Sequence, residues 1–169
     1  MCGIAGLVVK NSAHAAQGES TLAQMSVRLI HRGPDGEGLR WFANAAFGLA
    51  HRRLSIIDLS AAAAQPMQFN ERYYLSFNGE IYNYLEIKSR LSDYPFQTKS
   101  DTEVLLAAWI KWGEKALHEF NGMFSFAIWD EKNKSLFAAR DRFGVKPFYY
   151  TKYKSSIAFS SEIRPLLQL

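Results

Sequence analysis

The chain has 169 residues, of which 48% are hydrophobic, 14% aromatic and 21% charged. This length and composition predict one globular domain and exclude a disordered chain. The formal net charge is +4, but Lys and Arg are scattered among Asp and Glu without the basic stripe of a nucleic-acid-binding surface. No apolar stretch approaches the roughly 20 residues that span a bilayer, and no secretory signal is recognisable. We therefore expect a cytoplasmic protein that binds neither nucleic acid nor membrane.

The cysteine and histidine content argues against a metal centre. Cys2 is the single cysteine, which excludes an intramolecular disulfide and a cysteine-based metal site. The four histidines show no i, i+4 pair of the kind that binds zinc on a helix: His14, His31, His51 and His118. We predict no metal site.

The first third of the chain predicts a buried strand followed by a helix. Residues 4–9 form a short β-branched apolar run, which favours a strand. Residues 11–20 lack periodicity and predict a loop. Apolar residues then recur at helical spacing at Leu22, Met25 and Leu29, and Gly33-Pro34 is the expected stop.

Short β-like segments follow, and their connections are too short for crossover helices, which predicts antiparallel pairing. These segments cover residues 39–42, 47–50, 55–57 and 73–77. Helices are predicted over residues 84–91 and 101–112. Ser100 and Glu103 have the spacing of a capping box, which places Asp101 in the first helical turn.

The last part of the chain predicts a hairpin, because residues 124–128 and 136–139 flank a polar turn at 131–134. Further strands are predicted at residues 148–151 and 157–160, and a helix at 162–169. Strands in two groups with helices between them, without a βαβ rhythm, predict an α+β layered sandwich.

Met1-Cys2-Gly3 at the amino end is the first candidate functional feature. Removal of Met1 would leave Cys2 with a free α-amine, whose pKa of about 7.7–8.0 lies near neutral pH. The nucleophilic thiol and its base would then belong to one residue. A retained Met1 would turn that amine into an amide, which is no base. Considered alone, Cys2 is more readily explained as a buried small hydrophobic residue.

A series of short motifs changes that interpretation. In chain order they are MCGIAG at 1–6, HRGPDG at 31–36, HRRLSIID at 51–58, NGEIYN at 78–83, SDTE at 100–103, GMFSFA at 122–127, ARDRFGVKP at 139–147 and SSEI at 160–163. The series resembles class II glutamine amidotransferases, and most closely their asparagine synthetase branch. It covers nearly the whole chain.

This resemblance implies an N-terminal-nucleophile hydrolase fold, a four-layer α/β/β/α sandwich of two antiparallel sheets. It also implies hydrolysis of the glutamine side-chain amide through a Cys2 thioester. We expect residues 1–169 to form the glutaminase domain and an ATP-dependent synthetase domain, absent from this chain, to receive the ammonia. Glutamine and that synthetase domain or subunit are the expected partners. No cofactor is expected here, since ATP and Mg would belong to the synthetase domain.

Site residues follow from the same resemblance. Asn78 and Gly79 would stabilise the oxyanion, and Arg53 would bind the α-carboxylate of glutamine. Glu80 and Asp101 would face its α-ammonium, and main-chain groups of Leu54 and Ile57 would complete the pocket. The HRGPD and RDRFG motifs are interpreted as structural, the first beside the substrate pocket.

Each role has a plainer alternative. Asn78-Gly79 could form a tight hairpin turn, Arg53 a surface ion pair, and Asp101 a favourable charge at a helix start. Ala63 stands where related chains commonly have glycine, which would be strained if the position required a positive φ. A non-catalytic glutamine-binding or docking module, and a class II branch that makes amino sugars or phosphoribosylamine, are the competing functions.

Overall fold

The computed structural model describes residues 1–9, 15–154 and 156–169. Its strands are β1 (Gly3–Val9), β2 (Gly36–Phe42), β3 (Phe47–Arg53), β4 (Met67–Phe69), β5 (Tyr73–Ile81), β6 (Gly122–Asp130), β7 (Ser135–Arg140), β8 (Tyr149–Tyr153) and β9 (Ser156–Ser160). Its α-helices are α1 (Ala15–Val27), α2 (Tyr84–Ser89), α3 (Asp101–Trp112) and α4 (Ile163–Leu166).

The strands form two antiparallel sheets. The first sheet has five strands in the order β2-β3-β1-β9-β8, and the second has four in the order β4-β5-β6-β7. β1 lies in the middle of the first sheet, where it pairs with β3 and β9. The amino end of the chain is therefore built into the centre of the fold, as residues 4–9 predicted.

Three apolar layers hold the elements together, because alternate residues of each strand face opposite sides. On β6, Phe124, Phe126 and Ile128 pack toward α2 and α3. Ala127 and Trp129 of the same strand pack between the sheets. Helix α1 covers the other face of the first sheet. The predicted four-layer α+β sandwich of antiparallel sheets is confirmed.

Two predicted segments differ from the structure. Residues 55–57 form no strand, because β3 already has β2 and β1 on its two edges and the chain turns away after Arg53. Helix α1 begins at Ala15, inside the predicted loop, while residues 11–14 lie outside the described residues. Gly18 lies within α1 although glycine has a low helix propensity. A Cβ at this position would collide with Trp41 and contact Val9, so the close packing of α1 on the sheet requires glycine here. The short strand β4 was not predicted.

The helix start at Asp101 is confirmed, but only half of the capping box forms. The Ser100 hydroxyl accepts a hydrogen bond from the Thr102 N–H at 3.1 Å. The Glu103 carboxylate instead accepts from the N–H groups of Gln97 and Thr98, because the preceding loop folds back over the helix. Ala63 lies in a short 3-10 helix and its φ is not positive, so the expected strain is absent.

Candidate active site

All the predicted site residues line one cavity of about 250 Å³. These residues are Cys2, Arg53, Leu54, Ile57, Asn78, Gly79, Glu80 and Asp101. They come from the residue before β1, the end of β3 and the loop that follows it, the second half of β5 and the start of α3. Residues nearly 100 positions apart in the sequence are thus brought to one place by the packing of the two sheets.

The Cys2 side chain is held by the chain that follows β3. The Leu54 N–H donates to the Cys2 sulfur at 3.4 Å, and the thiol lies 3.6 Å from the Leu54 carbonyl oxygen. Arg32 donates from Nε to the Cys2 carbonyl oxygen at 2.9 Å and from Nη1 to Glu162 at 3.1 Å. The HRGPD motif therefore fixes the main chain of Cys2, which agrees with its structural interpretation.

Burial raises the pKa of the Cys2 thiol above its ordinary value. The Leu54 N–H, the amino terminus and Arg53 act in the opposite direction, because each favours the negative thiolate. Burial is the largest of these effects. Formation of the thiolate therefore requires a nearby base.

Asn78 and Gly79 lie inside β5, where they pair with Ser125 and Phe124 of β6. The alternative of a hairpin turn at this dipeptide is therefore wrong. Asn78 is only 1% exposed, and its Nδ2 has no hydrogen-bond partner in the described part of the chain. An unpaired buried donor costs free energy, so such groups in a cavity are candidates for binding an anion. A Cβ at Gly79 would collide with the Met123 carbonyl oxygen, which leaves room for glycine alone.

Asp101 is 4% exposed and faces the cavity from the start of α3. Its Oδ2 accepts a hydrogen bond from the Ile81 N–H at 3.0 Å, which links α3 to the end of β5. Burial raises the pKa of Asp101, the nearby charge of Glu80 adds to the rise, and hydrogen bonds from Ile81 and Thr102 oppose it. Ser100, not Asp101, supplies the helix cap. A carboxylate in this position attracts a cationic group.

Arg53 makes no ion pair with any carboxylate in the described residues, so the surface ion-pair alternative is wrong. Its guanidinium donates to the carbonyl oxygens of Ser60, at 3.0 Å, and Asp58. The Asp58 carboxylate accepts from the N–H groups of Ser60 and Lys99. The Ser60 side chain, together with these two N–H groups, brings the pKa of Asp58 down to about 2. The bonds also fix the loop over residues 54–60 beside the start of α3.

Gln65 and Lys146 are two of the cavity residues that were not predicted. Gln65 accepts a hydrogen bond from the Phe77 N–H at 2.6 Å and donates to the Thr102 hydroxyl at 3.4 Å. It therefore joins the strand that carries Asn78 to the helix that carries Asp101. Lys146 is 6% exposed and also lines the cavity. Lys146 belongs to the ARDRFGVKP motif that carried the resemblance, but no role was predicted for it.

Comparisons with known proteins identify the fold and the family. The structure of a glutamine phosphoribosylpyrophosphate amidotransferase from B. subtilis superposes with a TM-score of 0.73 at 20% identity, over 98% of this chain and 43% of that one. A structure described as the allosteric regulatory enzyme of purine biosynthesis gives a TM-score of 0.75 at 20% identity, over 99% and 43%. These likenesses define the N-terminal-nucleophile type of fold that was predicted.

A family model of the glutamine amidotransferase domain matches residues 1–169. Asparagine synthetase [glutamine-hydrolyzing] 1 of Bacillus subtilis is 43% identical over 99% of the chain and 27% of its own length. A putative asparagine synthetase [glutamine-hydrolyzing] 2 of Methanocaldococcus jannaschii is 39% identical over 99% and 35%. The chain belongs to the glutamine amidotransferase domain family, and it spans roughly a third or less of the length of these two relatives.

No helix within residues 1–9, 15–154 and 156–169 is long and apolar enough to cross a membrane. In the same residues, no group of three or more His, Cys, Asp or Glu side chains is arranged to hold a metal ion. The site therefore consists of a thiol, an amide, a guanidinium, carboxylates and an ammonium.

Proposed function

We propose that this domain hydrolyses the side-chain amide of glutamine to glutamate and ammonia, with Cys2 as the nucleophile. The observation that carries the proposal is the shared cavity of the Cys2 thiol and the unpaired, buried Asn78 amide donor. Acyl transfer requires this combination, a nucleophile beside a donor placed for the charge that develops on the carbonyl oxygen. Membership of the amidotransferase family supports it.

The first half of the reaction forms a thioester. Once Met1 is removed, the α-amine of Cys2 accepts the thiol proton and the thiolate attacks the amide carbon. The carbonyl oxygen becomes an oxyanion that Asn78 Nδ2 and the Gly79 N–H stabilise. The α-ammonium then returns the proton to the amide nitrogen, the C–N bond breaks, and ammonia leaves a thioester on Cys2.

The second half releases glutamate. A water molecule attacks the thioester carbon and gives one proton to the α-amine of Cys2. The C–S bond breaks, and that proton returns to the sulfur. Thiol, amine and oxyanion donors are restored, and the net reaction consumes one glutamine and one water.

Recognition of free glutamine uses the remainder of the cavity. Arg53 pairs with the α-carboxylate through guanidinium N–H groups beyond those bonded to Ser60 and Asp58. Asp101 and Glu80 face the α-ammonium, and the main chain of Leu54 and Ile57 closes the pocket. Opposite charges at the two ends of the site give selectivity for an amino acid over a simple amide.

The ammonia serves an ATP-dependent amidation of an acid, carried out by a synthetase domain or subunit outside residues 1–169. The names and lengths of the relatives support this extension, since they are asparagine synthetases of which this chain spans 27% and 35%. ATP and Mg belong to that partner, and the location would be the cytoplasm.

The test compares Met1-free wild-type protein with Cys2→Ser and with a form that keeps Met1. We expect glutamate and ammonia in equal amounts from the wild type alone, because serine is a poorer nucleophile and an acylated amine is no base. Mass spectrometry verifies the amino end of each form. Glutamine binding without turnover by folded, Met1-free wild type, alone and with a synthetase partner, would contradict the proposal and favour a non-catalytic binding module.

A further inference from the structure

We propose that Lys146 is a positioning residue of this site, whose ammonium shares the cavity with Cys2 and stabilises the reactive thiolate. The inference deepens the proposed function and rests on it for its role in turnover. Lys146 acts through Cys2, since it donates no proton and forms no bond to the substrate. Its side chain remains an ammonium while the thiol proton passes to the α-amine.

The loop after β7 presents Lys146 in an unusual way. Phe143 is 92% exposed and Val145 is 58% exposed, whereas Lys146 is only 6% exposed. Lysine is among the residues that are almost never buried without a partner, and large apolar residues are normally the buried ones. The loop thus reverses the usual arrangement: it exposes two large apolar side chains and turns Lys146 into the cavity.

Asp141 enforces that arrangement. Its carboxylate accepts hydrogen bonds from the N–H groups of Phe124 at 3.2 Å, Val145 at 2.8 Å and Lys146 at 2.9 Å. Those bonds lower the pKa of Asp141, although its burial acts in the opposite direction. The loop is therefore fixed to β6 through its main chain, and Lys146 cannot easily turn outward.

No carboxylate in the described residues lies within ion-pair distance of the Lys146 ammonium. Nζ contacts the sulfur of Met1 at 3.4 Å, and processing at the amino end removes that contact. A buried ammonium without a partner is costly, so a negative charge formed in the cavity is strongly favoured. The Cys2 thiolate is the charge that the proposed reaction forms there.

The charged groups around this pair have mixed signs. Burial and Arg32 lower the pKa of Lys146, while Cys2, Glu80 and Asp141 raise it. Burial and Asp101 raise the pKa of Cys2, while the amino terminus and Arg53 lower it. Because electrostatic coupling is reciprocal, a thiolate that favours the ammonium is equally favoured by it.

The test measures the pH dependence of Cys2 alkylation by iodoacetamide in Met1-free protein. In Lys146→Met the apparent thiol pKa should rise by about one unit, which slows alkylation near neutral pH about tenfold. Lys146→Arg keeps the charge and should stay close to wild type. Lys152→Met, at an exposed position of β8, is the matched control. A folded Lys146→Met protein with the wild-type alkylation profile overturns the inference.

Glutamine turnover separates this inference from the proposed function. If both are right, the acidic limb of kcat/KM moves to higher pH in Lys146→Met, with KM little changed. If Cys2 alkylation depends on Lys146 as expected but the wild-type protein does not hydrolyse glutamine, the proposed function fails and the inference about Lys146 stands. If Lys146→Met turns over glutamine normally and the acidic limb of its kcat/KM profile is not shifted, the inference about Lys146 fails and the proposed function is unaffected.

One measurement needs no substitution and covers the case in which Lys146→Met does not fold. The titration of the Lys146 side chain, followed by NMR of its labelled ε-carbon, is recorded before and after alkylation of Cys2. Alkylation removes the thiolate, so the pKa of Lys146 should fall. An unchanged titration contradicts the inference.

Discussion

The cavity has two walls that are built differently. On one wall, Cys2 directly precedes the central strand β1, and Asn78 and Gly79 lie within β5, where backbone pairing with β6 sets their positions. On the other wall, Arg53 ends β3 and the loop over residues 54–60 is held by a few side-chain hydrogen bonds. Asn78 is 1% exposed, whereas Ile56 on the loop is 75% exposed.

This contrast separates chemistry from recognition. The proposed nucleophile lies next to a paired strand and the proposed oxyanion donors lie within one, which favours the fixed positions that acyl transfer requires. A loop held by side chains can adjust to the charged end of a substrate. Changes on the strand wall should therefore lower kcat, and changes on the loop wall should raise KM.

The largest effect is expected for Asn78→Ala on the strand wall. Loss of one oxyanion donor should lower kcat about 100- to 1000-fold with little change in KM. Asn78→Asp, which has the same shape but brings a negative charge, should be slower still. Steady-state kinetics with glutamine measure both. A fully active Asn78→Asp would show that this amide does not face the reacting oxygen.

A pH experiment probes the same wall through His51. The Nε2 of His51 donates to the Phe77 carbonyl oxygen, and burial lowers its pKa from 6.5 to about 4. Because the folded state binds the proton less well than the unfolded state, stability is complete above pH 6.5 and falls as the pH drops toward 4. The free energy of unfolding should decrease by about 3 kcal/mol over that window.

Urea unfolding at a series of pH values measures the His51 effect. His51→Gln, which keeps a donor but does not titrate in this range, is the matched control and should flatten the dependence. An equally steep dependence in that variant would assign the acid instability to other groups.

On the loop wall, Arg53→Lys should raise KM for glutamine about 10- to 100-fold, because lysine cannot reproduce the guanidinium fork. The value of kcat should change much less than in Asn78→Ala. Arg72→Lys, which alters an ion pair with Asp130 outside the cavity, is the control. A fall in kcat with constant KM in Arg53→Lys would mean that the loop wall positions the reacting atoms. The proposed separation of roles between the two walls would then be wrong.

The smallest effect is expected at Asp58, which joins the loop to α3. Its folded pKa is about 2, below the ordinary 3.8, so the loop contacts should persist above pH 3.8 and weaken as the pH falls toward 2. Amide chemical shifts of Ser60 and Lys99 should report that titration, and Asp58→Asn should abolish it. Titration of these amides near pH 3.8 would show that the carboxylate is not bonded in solution.

Local patterns were sufficient for much of the fold. The strand at residues 4–9, the hairpin of β6 and β7 and the start of α3 at Asp101 follow from alternation, turn chemistry and capping. The motif resemblance named eight residues that all line one cavity. These elements and motifs are defined by residues close together in the sequence, so they can be predicted without knowledge of the tertiary structure.

Other features depend on residues that meet only after the sheets pack. Residues 55–57 have a strand-like composition, but the chain turns away from the sheet after Arg53, and β3 is already paired on both sides. The Glu103 carboxylate accepts hydrogen bonds from the N–H groups of Gln97 and Thr98, so it does not complete the capping box with Ser100. Gln65 bonds to Phe77 on β5 and to Thr102 on α3, which lie 12 and 37 positions away in the sequence, so no local pattern predicts these contacts.

The sequence by itself determined the family, the order of most elements and the choice of Cys2 as the proposed nucleophile, because these depend on residue type and spacing. Only the tertiary structure decided that Asn78 keeps an unpaired donor, that Arg53 bonds to its own loop, and that Lys146 faces inward although Val145 before it is exposed. The physical reason is that burial and hydrogen-bond partners are properties of the packed sheets, and spacing along the chain does not specify which side of a loop meets the cavity.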